Sequence, residues 1–157
     1  MALTDILVLL AVILGTAGAS ILLRRQSIRG SRLFAAVWLS FYGLMLVASM
    51  LAHNIEILYR ATAGRAASSN NAPVYNFRLY SLLLLGALLI WAGVVCLRAA
   101  PGVGRGTPDA RRTAIATSVV VALIVAPLIP LQMLFGIAFT VLSLVTLLIL
   151  ALAAPRV

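Results

Sequence analysis

The feature that most restricts the fold is an apolar run of 42 residues, from Thr113 to Ala154, that contains no charged residue. As one continuous helix it would be about 63 Å long, roughly twice the thickness of the hydrocarbon core of a bilayer. The run must therefore bend back on itself. Pro127 and Pro130 mark the place, because each proline removes a backbone donor and crowds the preceding turn. The sequence predicts two membrane-spanning helices here, residues 112–126 and 131–153, joined by a tight outer turn.

Three further apolar runs precede this one, and the composition of the chain favours lipid for them as well. Hydrophobic residues make up 64% of the 157 residues and charged residues only 10%, against roughly half and a quarter in soluble proteins. The predicted spans are residues 4–23, residues 33–52 with a helical extension to residue 60, and residues 79–97. The sequence thus predicts a single all-α domain, residues 1–157, forming a polytopic transmembrane helix bundle with five spans. Four spans, with a re-entrant or broken last segment, is the alternative.

Turn-forming residues separate these spans. Glycine, serine, asparagine and proline cluster between Ala61 and Val74, and glycine and proline recur between Pro101 and Pro108. Such clusters are typical of loops, so a loop is predicted in each place. The aromatic residues after the first loop, Tyr75, Phe77 and Tyr80, are expected to form an outer belt at the depth of the lipid head groups.

Arginines mark the ends of the predicted spans. All twelve basic residues are arginine, and four of them lie in the connection Arg24–Arg32. Positively charged loops stay on the cytoplasmic side of a membrane, which predicts an outer N-terminus and, with five spans, an inner C-terminus. The arginine bias is typical of GC-rich bacteria and favours a bacterial inner membrane. The nine arginines expected inside are Arg24, Arg25, Arg29, Arg32, Arg98, Arg105, Arg111, Arg112 and Arg156; the three expected outside are Arg60, Arg65 and Arg78.

The placement of these arginines also indicates what they bind. The net charge of +9 lies at span ends and not along a groove, which argues against nucleic acid as a partner. Anionic lipids at the cytoplasmic face are the predicted partners, because their head groups attract basic residues beside a span.

Small residues recur every four positions on two of the predicted spans. They are Ala11, Gly15 and Ala19 on the first, and Ala114, Ser118, Ala122 and Ala126 on the fourth. Such strips let neighbouring helices approach closely, and packing inside the bundle is the favoured interpretation. Contact with another membrane subunit is the alternative, for which Gly15, Ala19, Ser118 and Ala122 are the candidates.

Polar residues share one face of the second predicted helix. Tyr42, Ser49, His53, Glu56 and Arg60 follow one another at intervals of seven, four, three and four residues, which aligns them on a helix. A solvated helix end is one interpretation, because 20 residues from Leu33 already cross the bilayer. A docking surface for another subunit or for the following loop, formed by Ser49, His53, Glu56 and Arg60, is the second. The third is axial ligation of a haem or chlorophyll by His53, the only histidine.

The sequence contains no set of residues that indicates an enzyme. It lacks Ser-His-Asp and Cys-His combinations, paired carboxylates and a phosphate-binding glycine loop, and Cys96 as the sole cysteine indicates no metal cluster. The predicted function is a non-catalytic integral membrane subunit that packs against and stabilises a larger membrane protein complex. The alternatives are a haem- or chlorophyll-binding electron-transfer or light-harvesting subunit using His53, and a small transporter or channel. The last is disfavoured because no predicted span carries a charge near its centre.

Overall fold

The computed structural model describes residues 14–15, 17–18, 21, 28–64, 72–128 and 133–153. Every regular element in these residues is helical, which confirms the all-α prediction. The four helices are α1 (Ile28–Gly64), α2 (Ala72–Arg105), α3 (Pro108–Val125) and α4 (Met133–Leu152), with a 3-10 turn, Ala126–Leu128, after α3. Residues 14, 15, 17, 18 and 21 are helical as well, and the rest of the first predicted span lies outside the described residues.

The loop predicted between Ala61 and Val74 is shorter than the sequence suggested, because α1 and α2 extend into it from both sides. No glycine or proline interrupts α1 after Ala52 until Gly64, so the helix passes the predicted extension to residue 60 and ends at that glycine. At the other side α2 begins at Ala72, with a proline in its first turn. A proline is tolerated there because the first N–H groups of a helix have no intrahelical partner.

The loop predicted from Pro101 to Pro108 is wrong. Instead α2 continues through Pro101 to Arg105, and only two residues, Gly106 and Thr107, join it to α3. Gly102 and Gly104 serve as contact points within the helix. A Cβ atom at Gly102 would collide with Ala110 of α3, and one at Gly104 would lie 3.2 Å from Ala36 of α1. The glycines thus permit close helix packing, which offsets the backbone hydrogen bond that Pro101 removes.

Glycine is needed at the α2–α3 turn for a conformational reason. Gly106 has a φ of 82°, a value that residues with a side chain rarely adopt. The turn is closed by two backbone bonds near the end of α2: Gly106 N donates to Val103 O at 3.0 Å, and Thr107 N donates to Gly102 O at 2.9 Å. The guanidinium of Arg32 lies against Gly106, which brings the start of α1 to the same turn.

The reversal between α3 and α4 occurs at the predicted prolines. Val125 ends α3, the 3-10 turn includes Pro127, and α4 starts at Met133. The two helices return antiparallel, because Arg111 near the start of α3 donates from Nε to the carbonyl of Leu150 near the end of α4, at 3.0 Å. This bond satisfies one of the backbone carbonyls that a helix end leaves without an intrahelical partner.

Two of the described helices contain stretches long and apolar enough to cross a bilayer, Arg29–Tyr59 in α1 and Tyr80–Arg105 in α2. In the most apolar part of each, only 39% and 28% of the residues are buried inside the chain, so most of them face outward. The apolar part of α4, Gly136–Leu152, is shorter, and α3 carries three charged residues near its start. The described helices therefore support two spans by length and composition and do not support a count of five.

Candidate interaction surface

A hydrogen-bonded contact between the first and last described helices fixes how the bundle is assembled. The hydroxyl of Tyr42 on α1 lies 2.7 Å from Oγ of Ser143 on α4. That Oγ donates its own hydrogen to the carbonyl of Phe139, one helical turn back, at 2.8 Å. Tyr42 is therefore the donor to Ser143. Both side chains are fully buried.

The same arrangement repeats one turn along each helix. Nε1 of Trp38 donates to Oγ1 of Thr146 at 3.0 Å, and Oγ1 of Thr146 donates to the carbonyl of Leu142 at 2.8 Å. Ser143 and Thr146 thus accept hydrogen bonds from Tyr42 and Trp38, two aromatic donors that need a partner when they are buried. Sequence reasoning missed Ser143 and Thr146. The available signal was a pair of hydroxyl residues three positions apart in an otherwise apolar helix.

These bonds set the register of α1 against α4. In an antiparallel pair of helices, one step along the first helix is matched by one step back along the second. Ser143 lies ten residues after the start of α4 at Met133, and Ala52 lies ten residues beyond Tyr42 on α1. The start of α4 is thus level with Ala52. His53 and Glu56 lie beyond it, on the face of α1 that would otherwise meet α4.

A different face of α1 packs against α2, and this contact continues past the start of α4. A Cβ atom at Gly43 would lie 2.7 Å from the carbonyl oxygen of Gly93, and the reverse distance is also 2.7 Å. Farther along, the side chain of Asn54 packs against Gly86. Because α2 is 16 residues longer than α3, it extends about 24 Å beyond α3 from their shared turn.

The part of the α1–α2 pair that lies beyond the other described helices is called the hairpin projection below. It comprises residues 51–64 of α1 and 72–88 of α2. The change is visible in the burial of the side chains. Met50 is the last buried hydrophobic residue of α1 before the projection. Beyond it, no described side chain of α1 is buried. On the outer side of the helix, Leu51, Ile55 and Leu58 are exposed by 52%, 59% and 49%.

The predicted polar face of α1 is divided by this boundary. Tyr42 belongs to the core, Ser49 and His53 are half-buried, and Glu56 is exposed. Arg60 lies on α1 within the projection, and its side chain is outside the described residues. At about 100° per residue, Leu51, Ile55 and Leu58 lie on the opposite side of the helix from His53 and Glu56. The projecting part of α1 thus has one polar and one apolar side.

One polar atom of the projection is buried without a partner. Oδ1 of Asn54 has no hydrogen bond within the part of the chain that the structure describes. A buried amide oxygen in this condition costs about 1–3 kcal/mol.

The remaining predicted contact residues lie mostly inside the chain. A Cβ atom at Gly15 would overlap Trp38 of α1 and Val145 of α4, so this glycine allows close packing within the protein. Ser118 is fully buried and Ala122 is half-buried. Ala19 is outside the described residues. Packing inside the bundle is therefore the role that the structure gives to Gly15 and Ser118.

A metal or pigment role for the site remains a prediction. No group of three His, Cys, Asp or Glu side chains lies together within the described ranges. His53 as an axial ligand of haem or chlorophyll is tested by the absorption spectrum of the native protein. No protein-family model, curated protein or solved structure matches the chain.

Proposed function

We propose that the protein is a non-catalytic integral membrane subunit that packs against a larger membrane protein complex and stabilises it. The contact is the polar face of α1 in the hairpin projection, which carries His53 and Glu56, with Ser49 one helical turn before it. The observation that carries the proposal is the register between Tyr42 and Ser143. It sets the start of α4 level with Ala52, so α4 does not extend over His53 and Glu56.

Neither lipid nor water alone suits this part of α1. In hydrocarbon, an acidic side chain such as that of Glu56 costs roughly 3 kcal/mol. In water, Leu51, Ile55 and Leu58 would all be left exposed on the other side. A helix of a second membrane protein resolves the conflict if it covers the polar side of α1 and leaves the apolar side to lipid.

The location that we propose is a bacterial inner membrane, crossed five times, with the N-terminus outside and the C-terminus inside. The described helices bring six arginines to one end of the bundle, at the start of α1, the end of α2 and the start of α3. This gathering supports a cytoplasmic position for that end. The six are Arg29, Arg32, Arg98, Arg105, Arg111 and Arg112.

The proposal is tested by purification from the native membrane in mild detergent. We expect the chain to copurify with another integral membrane chain, and we expect the yield of that chain to fall at least fivefold in a His53→Ala, Glu56→Gln double variant. Asp109→Asn, at an exposed acid near the other end of the bundle, is the matched control and should retain the partner.

A photo-crosslinking amino acid locates the contact. Placed at position 56 it should join the protein to the same partner, whereas at Leu44, which is 58% exposed on α1, it should not. Recovery as a stable monomer without a partner, or equal partner yield in both variants, would contradict the proposal.

A further inference from the structure

An exposed column of residues runs along α2 toward the arginine-rich end of the bundle. Leu84, Trp91, Arg98 and Arg105 follow at intervals of seven, which places them on one face of the helix. Leu84 and Trp91 are exposed by 64% and 65%, and both arginines are exposed as well. The column is therefore apolar at one end and cationic at the other.

Nothing in the described part of the chain neutralises the two arginines. Neither the Arg98 nor the Arg105 side chain has a hydrogen bond or ion pair with another described residue. Asp109 is the only acidic residue among the described residues at this end, and no ion pair joins it to either arginine. The neighbouring arginines add positive charge, so the surface attracts an anion.

We infer that this column binds an anionic phospholipid, with its phosphate between Arg98 and Arg105 and an acyl chain along α2. The rise between the two arginines is about 10.5 Å, which two long side chains can close by bending toward a shared phosphate. One leaflet of hydrocarbon is about 15 Å thick, or about ten residues of helix. An acyl chain anchored at Arg98 therefore passes Trp91 and reaches Leu88.

The apolar half of the column identifies the source of the phosphate. A free phosphate ion makes no apolar contact with Trp91 and Leu84. A phospholipid covers these two side chains with its acyl chain and neutralises the arginines with its phosphate. The lipid site lies at the opposite end of the bundle from the hairpin projection. Its test is therefore independent of the proposed contact with a partner subunit.

Trp91 provides the measurement. Trp38 is 5% exposed and Trp91 is 65% exposed, so lipids with brominated acyl chains should quench Trp91 selectively. In detergent micelles we expect brominated phosphatidylglycerol to quench at lower mole fractions than brominated phosphatidylcholine. Loss of each arginine should weaken this preference about fivefold, so an Arg98→Gln, Arg105→Gln variant should lose it.

Two matched variants complete the design. Arg78→Gln removes one charge near the other end of α2 and should keep the preference, and an Arg98→Lys, Arg105→Lys variant should keep most of it. Added glycerol 3-phosphate should not compete with the lipid. Equal quenching by both lipids in the unmodified protein, a preference retained by the glutamine variant, or competition by glycerol 3-phosphate would overturn the inference.

The unmodified protein supplies a test that does not depend on the folding of any variant. A preference due to the arginines must weaken as salt is added, because the Debye length falls to about 3 Å at 1 M. A preference unchanged at 1 M sodium chloride would also overturn the inference.

Discussion

The hydroxyl of Tyr42 donates to Oγ of Ser143 at 2.7 Å, and Ser143 passes its own hydrogen to a backbone carbonyl. The two hydroxyls are therefore not equivalent. Ser143→Ala leaves the buried Tyr42 hydroxyl without a partner and should lower the free energy of unfolding by about 1–3 kcal/mol. Tyr42→Phe leaves the Ser143 bond to Phe139 intact and should cost only about 1 kcal/mol.

Reversible unfolding in mixed micelles, followed by far-UV circular dichroism, measures both values. The double variant should lose less than the sum of the single losses, with a coupling energy of about 0.6 kcal/mol, the average between membrane helices, and at most about 1.7 kcal/mol. Additive losses would show that Tyr42 and Ser143 do not interact.

A buried serine elsewhere should respond in the opposite direction. Ser118 is fully buried, and its Oγ has no hydrogen-bond partner among the described residues. Ser118→Ala removes an unpaired polar atom, so it should leave the stability unchanged or raise it by up to about 1 kcal/mol. Ser143→Ala is the matched control, since the same atoms are deleted at the same burial. A loss of stability in Ser118→Ala comparable to that in Ser143→Ala would show that Ser118 has a partner in solution.

The close approach of α1 and α2 depends on two glycines. A methyl group at Gly43 would meet the carbonyl oxygen of Gly93, so Gly43→Ala should separate the helices and cost about 1–3 kcal/mol. Gly30→Ala, at an exposed position of the same helix, should be neutral or stabilising by up to about 1 kcal/mol, because alanine favours helix. The same unfolding titration compares them, and equal effects would exclude close packing at Gly43.

Adjacent arginines on α3 should differ in their contribution to stability. Arg111 is half-buried and donates to the Leu150 carbonyl, whereas Arg112 is exposed. Arg111→Gln should lower the unfolding free energy by about 1–2 kcal/mol, because a charged donor leaves a helix end. Arg112→Gln should stay within about 0.5 kcal/mol. A larger loss for Arg112→Gln would reverse the assignment.

The local features of the fold could be predicted because they depend on neighbours in sequence. The reversal at Pro127 follows from the loss of backbone donors. Similarly, α1 continues past Ala52 because no glycine or proline interrupts it before Gly64. The spacing of Tyr42, His53 and Glu56 correctly places them along one face of a helix.

Features that depend on distant partners could not be predicted. Gly102 and Gly104 indicate a loop when read in isolation, and their packing role emerges only from Ala110 and Ala36 across the helix contacts. Likewise, spacing on α1 cannot reveal that Tyr42 is buried and Glu56 exposed. That difference is set by the position at which another helix begins, about 90 residues later in the chain.

The bonds between α1 and α4 also have a consequence for biosynthesis. Tyr42 and Ser143 are 101 residues apart, so the ribosome finishes the first helix long before its partner hydroxyl exists. Protein synthesis proceeds at about 5–20 residues per second. The acceptors of Tyr42 and Trp38 are therefore synthesised roughly 5–20 s after these two side chains. During that interval these two groups lack their α4 acceptors, and in a chain truncated before α4 they would lack them permanently.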